Sequence, residues 1–386
     1  MRKQIINARV VTPDKIIENG VVGFGCGVID YVGSEKLAAD VEIDAEGAFV
    51  MAGLVDIHCH GGAGYDFMDA TPEEMRKISD FHLRHGTTTL VATTMTDTYE
   101  SIFAALDNFS ALGEDRLTLH GVHLEGPWLS PEQCGAQDVS RMAMPDSDML
   151  KKIKAEYPFV ERISAAPELD GGMMLGCTAR ELGIIASIAH TDADFDTTLS
   201  AVESGYTLVT HLYSGMQGVH RRNAYRIAGV VEGALYSDAL TVELIADGKH
   251  LPVNLLRYVY KIKGADSICL VTDAMRGAGL PDGKSTVLGK IKDGVACIID
   301  DGVAKLPDRQ SFAGSTSTAD RLLRVMHLDA KIPLPDCSKM LSLTPSRAMG
   351  YGDRGALEIG KRADIILLDE KMNINKIFLK GIEYAT

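Results

Sequence analysis

The stretch LVDIHCHGG, residues 54–62, is an apolar run that ends in two histidines one residue apart, followed by paired glycines. Residues i and i+2 of a strand point the same way, so His58 and His60 share a face while Cys59 points oppositely. Seven further apolar runs follow, at 87–95, 117–125, 162–168, 183–190, 206–213, 240–247 and 267–275. Segments of helical periodicity, among them 71–85, 97–112, 191–203 and 252–263, fill the gaps at lengths suited to crossovers. Eight strands separated in this way predict an α/β fold, a parallel sheet closed into a (β/α)8 TIM barrel.

The flanks have a different texture. Residues 1–50 alternate short β-rich pieces, 4–11 and 21–25, with turn signals at Thr12-Pro13, Asn19-Gly20 and 25–27, which predicts a small antiparallel sheet. After the eighth run, 287–305 turns β-rich again, 315–328 reads as a helix with a serine-threonine start, and 355–382 returns to short strands. The two β-rich ends are therefore expected to pair into one small domain, 1–51 with 345–386, beside a barrel domain over 52–344.

Composition narrows the function classes. With 39 Lys and Arg against 53 Asp and Glu, the net charge is -14, and no basic run is present to hold a phosphate backbone. Nucleic acid is excluded as a partner. The start, MRKQIINARVVTPD, lacks the apolar stretch of a signal peptide, and no run of about 18 apolar residues occurs anywhere, so no membrane partner is expected. Seven cysteines are scattered singly without a CxxC pair, which points to reduced thiols in the cytoplasm.

Ligand-type residues gather at the carboxyl ends of the strand runs, where barrel enzymes build their sites. His58 and His60 end the first run, Glu125 the third and His190 the fifth, while His211 lies near the end of the sixth and Asp273 near the end of the eighth. Any one of them alone is more simply a satisfied core residue. Together they predict a shared divalent metal site, zinc or iron, with an open position for water. His123 shares a face with Glu125 and either orients that carboxylate or is a buried histidine bonded to backbone. His82 and His85, at a helix end before Gly86, read as structural.

The segments DIHCHGG, HLEGPW, THLYSGM, IADGKH and LVTDAM, with LTPSRAMG and GALEIGKRADIILLD in the tail, resemble the amidohydrolase superfamily and, within it, the N-acetylglucosamine-6-phosphate deacetylase family. The resemblance spans essentially the whole chain. It implies a (β/α)8 barrel with a β-sandwich made from both termini, and a principal metal held by Glu125, His190 and His211. His58 and His60 would help bind a second ion bridged through Glu125, giving one or two per subunit. Asp273 would take a proton from the attacking water and return it to the leaving amine, and His250 would polarise the acyl carbonyl. The implied reaction is deacetylation of N-acetylglucosamine 6-phosphate.

The departures from the family pattern lie in the substrate pocket. Ser214 and Gly215 stand where Asn-Ala is usual, and main-chain groups there contact the sugar phosphate in the family. The loop after HLEGPW reads Cys134-Gly135-Ala136-Gln137 where a Lys-Gly-Ala-His type is expected. The phosphate-binding segment HRRNAYRIAGVVEG is longer than its usual form, with Arg221, Arg222 and Arg226 supplying guanidinium groups suited to phosphate. The bland alternative for these arginines is a solvated loop or a subunit contact. In the family such an arginine reaches into the partner subunit's site, which implies a homodimer. The competing readings are an amidohydrolase of another acylated amine or cyclic amide, and a non-catalytic scaffold relative. The second predicts a damaged ligand set, whereas all six positions keep ligand chemistry.

Overall fold

The apolar runs become eight short parallel strands: Leu54–Cys59, Thr87–Thr94, Leu119–Glu125, Val160–Ala165, Ile185–Ile188, Tyr206–Val209, Thr241–Leu244 and Ile268–Leu270. They are strands one to eight of the barrel. Each is hydrogen-bonded to its neighbours in chain order in the computed structural model, which describes residues 1–114 and 116–384. The circle closes just past the ends of strands one and eight, where the Asp273 N–H donates to His58 O at 2.9 Å and the His60 N–H to Ala274 O at 2.8 Å. The barrel is nearly closed. Helices cover its outer face, as an all-parallel sheet requires.

Several strands are shorter than their apolar runs, for local reasons. Leu117 and Gly183 have positive φ, so strands three and five begin after them. Strand four stops at Ala165, before Pro167, which has no N–H to donate. Strand six stops at Val209 because the backbone turns at Thr210 and His211. As a result His190, His211 and Asp273 sit just beyond strand ends, on the turns.

The first crossover helix, Pro72–Arg84, begins as its sequence demands. Thr71 caps it in a reciprocal box with Glu74, and Met75, Ile78 and Leu83 turn inward. The helix expected over 315–328 starts later, at Ala319. Ser315 instead bridges to Ala274 and donates through Oγ to Thr272 O at 2.5 Å, extending the barrel seam, a tertiary demand invisible to local periodicity. The β-rich stretch before it is a three-stranded antiparallel sheet, Ser285–Leu288, Val295–Asp300 and Val303–Lys305.

Both ends of the chain enter one further eight-stranded sheet. Arg2–Val11 pairs antiparallel with Ile16–Gly25 on one side; on the other it pairs parallel with both Val41–Asp44 and Phe49–Ala52. Phe49–Ala52 then pairs antiparallel with Ile365–Leu368 from the tail. The sheet is therefore mixed, not purely antiparallel as its N-terminal pieces suggested. It forks at its first strand around a core that includes Ile5, Val22, Phe24, Ile365 and Phe378. Asn19-Gly20 is not a turn but lies inside Ile16–Gly25, where Asn19 at φ +47° accompanies a register irregularity opposite Ala8 and Val10.

Candidate active site and metal centre

Strand one delivers His58 and His60, both buried, to the mouth of the barrel with their Nε2 atoms 3.3 Å apart. Glu125 reaches between the histidines from strand three. Its Oε2 lies 3.2 Å from His60 Nε2, and its Oε1 lies 3.6, 3.5 and 2.9 Å from Nε2 of His58, His190 and His211. Asp273 Oδ1 closes another side at 3.2 Å from His60 and 3.5 Å from His58. Two triads result, His58–His60–Glu125 and Glu125–His190–His211, each with ligand atoms within 4.8 Å of one another, and Glu125 belongs to both. His190, His211 and Asp273 have φ of +42°, +28° and +48°. Such strain in residues other than glycine persists where the surroundings enforce it, and here it re-aims three side chains into one centre.

The donor chemistry fits a divalent cation. Inward nitrogens face one another and a shared carboxylate, while two outward nitrogens are tethered: His58 Nδ1 to Glu243 at 3.1 Å and His190 Nδ1 to Gln133 O at 2.8 Å. Burial opposes protonation of His58, yet Glu125, Glu243 and Asp273 push it up to about 9. His60 and His190 are likewise raised against their own burial, by Glu125 and Asp273. Burial works to raise Glu125, but the His58 charge and the hydrogen bonds from His190 and His211 hold it well below the ordinary carboxylate range. The centre thus favours positive charge, and imidazole nitrogen with carboxylate oxygen is the ligand set of zinc and its neighbours.

Supporting residues include several that the sequence reading passed over. Glu243, on strand seven, forms a fully buried ion pair with Arg162 of strand four and is held at about 2, because Arg162 and His58 overcome the upward push of burial. The available signal was charged residues inside two strand stretches, Glu161 and Arg162 in VERIS and Glu243 in TVELI. Gln137 donates to Glu125 Oε2 at 2.8 Å and accepts from the Thr96 N–H at 3.0 Å, so the altered loop still contacts the centre, through an amide. His123 does not bond Glu125. Its Nε2 pairs with Ser164 Oγ at 2.8 Å and its ring packs edge-on against His58. Cys59 faces away from the centre, 3.3 Å from His82 Nε2 on the first crossover helix.

A cleft of about 270 Å³ opens onto the triads. His60, Glu125, His190, His211, Asp273 and His250 all line it, as do Ser214 and Gly215. His250 is anchored by Asp247, whose Oδ2 lies 2.8 Å from Nδ1, and Phe312 lies against its ring at 4.5 Å between centroids. Gly215 is required where it stands. At φ +58° a Cβ would meet His190 Nδ1 at 2.6 Å and Gln133 O at 3.0 Å. Arg222 and Arg226 are exposed, on the hairpin of His220–Arg222 and Tyr225–Ile227, and the cleft lining of their own chain does not include them.

A model of the amidohydrolase family matches residues 49–382. The N-acetylglucosamine-6-phosphate deacetylase of Lysinibacillus sphaericus is 33% identical over 345 residues, covering 88% of this chain and 86% of the relative. An N-acetylgalactosamine-6-phosphate deacetylase of Escherichia coli is 30% identical over 383 residues, 97% of each chain. Among solved structures, a mutant N-acetyl-D-glucosamine-6-phosphate deacetylase from Mycobacterium smegmatis, in complex with N-acetyl-D-glucosamine-6-phosphate, superposes with a TM-score of 0.91 at 29% identity, over 99% of both chains.

Proposed function

The chain belongs to the amidohydrolase family, hydrolases that act on amides, and on that premise we propose that it deacetylates N-acetylglucosamine 6-phosphate to glucosamine 6-phosphate and acetate. One observation carries the reading: the triad Glu125–His190–His211, His60, an ionised aspartate and an aspartate-anchored histidine line a single cleft. A divalent cation, zinc or iron, held by Glu125, His190 and His211, with His58 and His60 offering a place for a second, would supply Lewis acidity toward the acyl carbonyl and ease the ionisation of water.

Asp273 acts as base and then acid. Burial pushes its carboxyl up, but the His60 hydrogen bond and the charges of His58 and His60 pull it below the ordinary range, so it is ionised at neutral pH. The carboxylate takes a proton from the attacking water and delivers it to the departing sugar nitrogen as the C–N bond breaks. Asp247 holds His250 through Nδ1, which fixes the ring at the cleft wall where it polarises the acyl carbonyl and stabilises the oxyanion of the tetrahedral intermediate.

Ser214 and Gly215 at the cleft wall contact the sugar, and Arg222 and Arg226 bind its phosphate. Because these arginines project from an exposed hairpin, they serve the cleft of a second copy, which makes the working unit a homodimer. Val219 just before this hairpin, Tyr225 on it, and Tyr236 and Tyr258 on the helices Val230–Tyr236 and Val253–Lys263 are exposed large side chains available for that contact. No helix among the described residues is long and apolar enough to cross a membrane, and all seven cysteines are free, which fits a cytoplasmic enzyme.

The test is acetate release by metal-loaded protein from N-acetylglucosamine and N-acetylgalactosamine, each with and without the 6-phosphate. Fastest turnover is expected on N-acetylglucosamine 6-phosphate. Equal rates with and without phosphate remove the phosphate claim, a preference for the galacto sugar reassigns the substrate, and no release from any of the four rejects deacetylation.

A further inference from the structure

Arg162 and Glu243 face each other inside the barrel with both side chains fully excluded from solvent. Desolvating two charges commonly outweighs their attraction, and an apolar pair of similar volume fills such a space at least as well, so stability alone does not account for the pair. Its contacts do. Glu243 Oε2 accepts the Nδ1–H of His58 at 3.1 Å and the backbone N–H of His211 at 3.2 Å, one residue from each triad. Arg162 donates to Glu243, to Ile57 O at 3.1 Å beside His58, and to Thr210 Oγ1 at 3.0 Å beside His211. The two charges therefore grip both strand ends immediately beneath the ligands. The gripped N–H of His211 belongs to a residue at φ +28°, a conformation that needs such support.

We propose that the Arg162–Glu243 pair is a positioning device that aims one ligand of each triad at once and so sets the metal affinity of both. The carboxylate keeps the proton of His58 on Nδ1, leaving the Nε2 lone pair directed at the centre, and Arg162 keeps Glu243 ionised in a buried setting. Neither residue touches substrate. The inference rests on the reading of the two triads as metal ligands, and the experiment separates the two.

Metal-free full-length wild type, R162M, E243Q and the double variant R162M/E243Q are compared by thermal unfolding and by zinc affinity in chelator competition, with bound ions counted by elemental analysis. R162M takes the guanidinium from buried Glu243 and E243Q leaves Arg162 a buried charge without a counter-ion, so each single variant is expected to lower Tm. The double variant, neutral and similar in volume, is expected to regain most of the Tm while its zinc affinity stays about 10- to 100-fold below wild type. Recovery of both together marks a merely structural pair and overturns the proposal. Glu243→Asp covers failure of the double variant to fold, since it keeps the charge while drawing the carboxylate back from His58 and His211. It is expected to show the same affinity loss at near-wild-type Tm, and wild-type affinity in it overturns the proposal. Wild-type protein that binds neither zinc nor ferrous iron rejects the metal reading itself before any variant is compared.

Discussion

Asp273, the proposed base and acid, lies 3.2 Å from His60 and on the cleft wall with His250. Replacing it with Asn keeps the shape and removes the base, so turnover should fall by roughly 10²- to 10⁴-fold with the metal content unchanged. Unimpaired acetate release by that variant refutes the assignment. Gly215 tests a different dependence, the close approach of backbone to a ligand. Gly215→Ala drives a Cβ to within 2.6 Å of His190 Nδ1 in a backbone conformation that alanine rarely adopts. The expected outcome is displaced His190, measured as fewer ions bound per chain after dialysis, and a full complement would show that the loop yields. At this scale the six ligand-type residues that meet at the barrel mouth were legible because such chemistry at strand ends is a local pattern. Glu243, Arg162 and Asp247 were not, because their meaning lies in what strands distant in the chain bring against them.

The hairpin of His220–Arg222 and Tyr225–Ile227 is the element on which the proposed phosphate recognition turns. If Arg222 and Arg226 hold the phosphate, replacing both with alanine removes charge-assisted hydrogen bonds worth about 1.5–3 kcal/mol each. KM for the phosphorylated sugar should then rise by at least an order of magnitude, with kcat little changed and the unphosphorylated sugar unaffected. Initial-rate kinetics on the two substrates decide it, and an equal effect on both assigns the hairpin to assembly. Elements differed in how much they disclosed. The helix Pro72–Arg84 carries its own start signal in Thr71 and Glu74, so its sequence suffices. The segment 315–328 carries a helical pattern throughout, yet its first residues are taken into the barrel seam through Ser315. Asn19-Gly20 has turn chemistry and is used as a bulge, because the partner strand Arg2–Val11 continues past it.

For the molecule as a whole, the gathering of charge at the centre links stability to pH. In the metal-free protein His58 is raised from 6.5 to about 9, and His60 is raised in the same sense. A raised folded value means that the protonated form is the stabilised one. That contribution is complete below about pH 6.5 and is lost as pH rises through about 9. The Tm of chelated protein should fall across this window, while the Tm increment from added zinc should grow, since zinc competes with those protons. A chelated Tm that is flat or rising from pH 6.5 to 9 contradicts the arrangement. The amino-acid sequence by itself determined the barrel, through apolar runs at crossover spacing, and the gathering of six ligand-type side chains, through polar residues at the run ends. Both are properties of period and order along the chain. Only the tertiary structure decided that Glu125 is common to two triads, that Gln137 holds it, that Arg162 and Glu243 brace His58 and His211, and that Arg222 and Arg226 stand outside their own chain's cleft. Those facts depend on which side chains meet across a closed barrel, and distance along the chain carries no record of that.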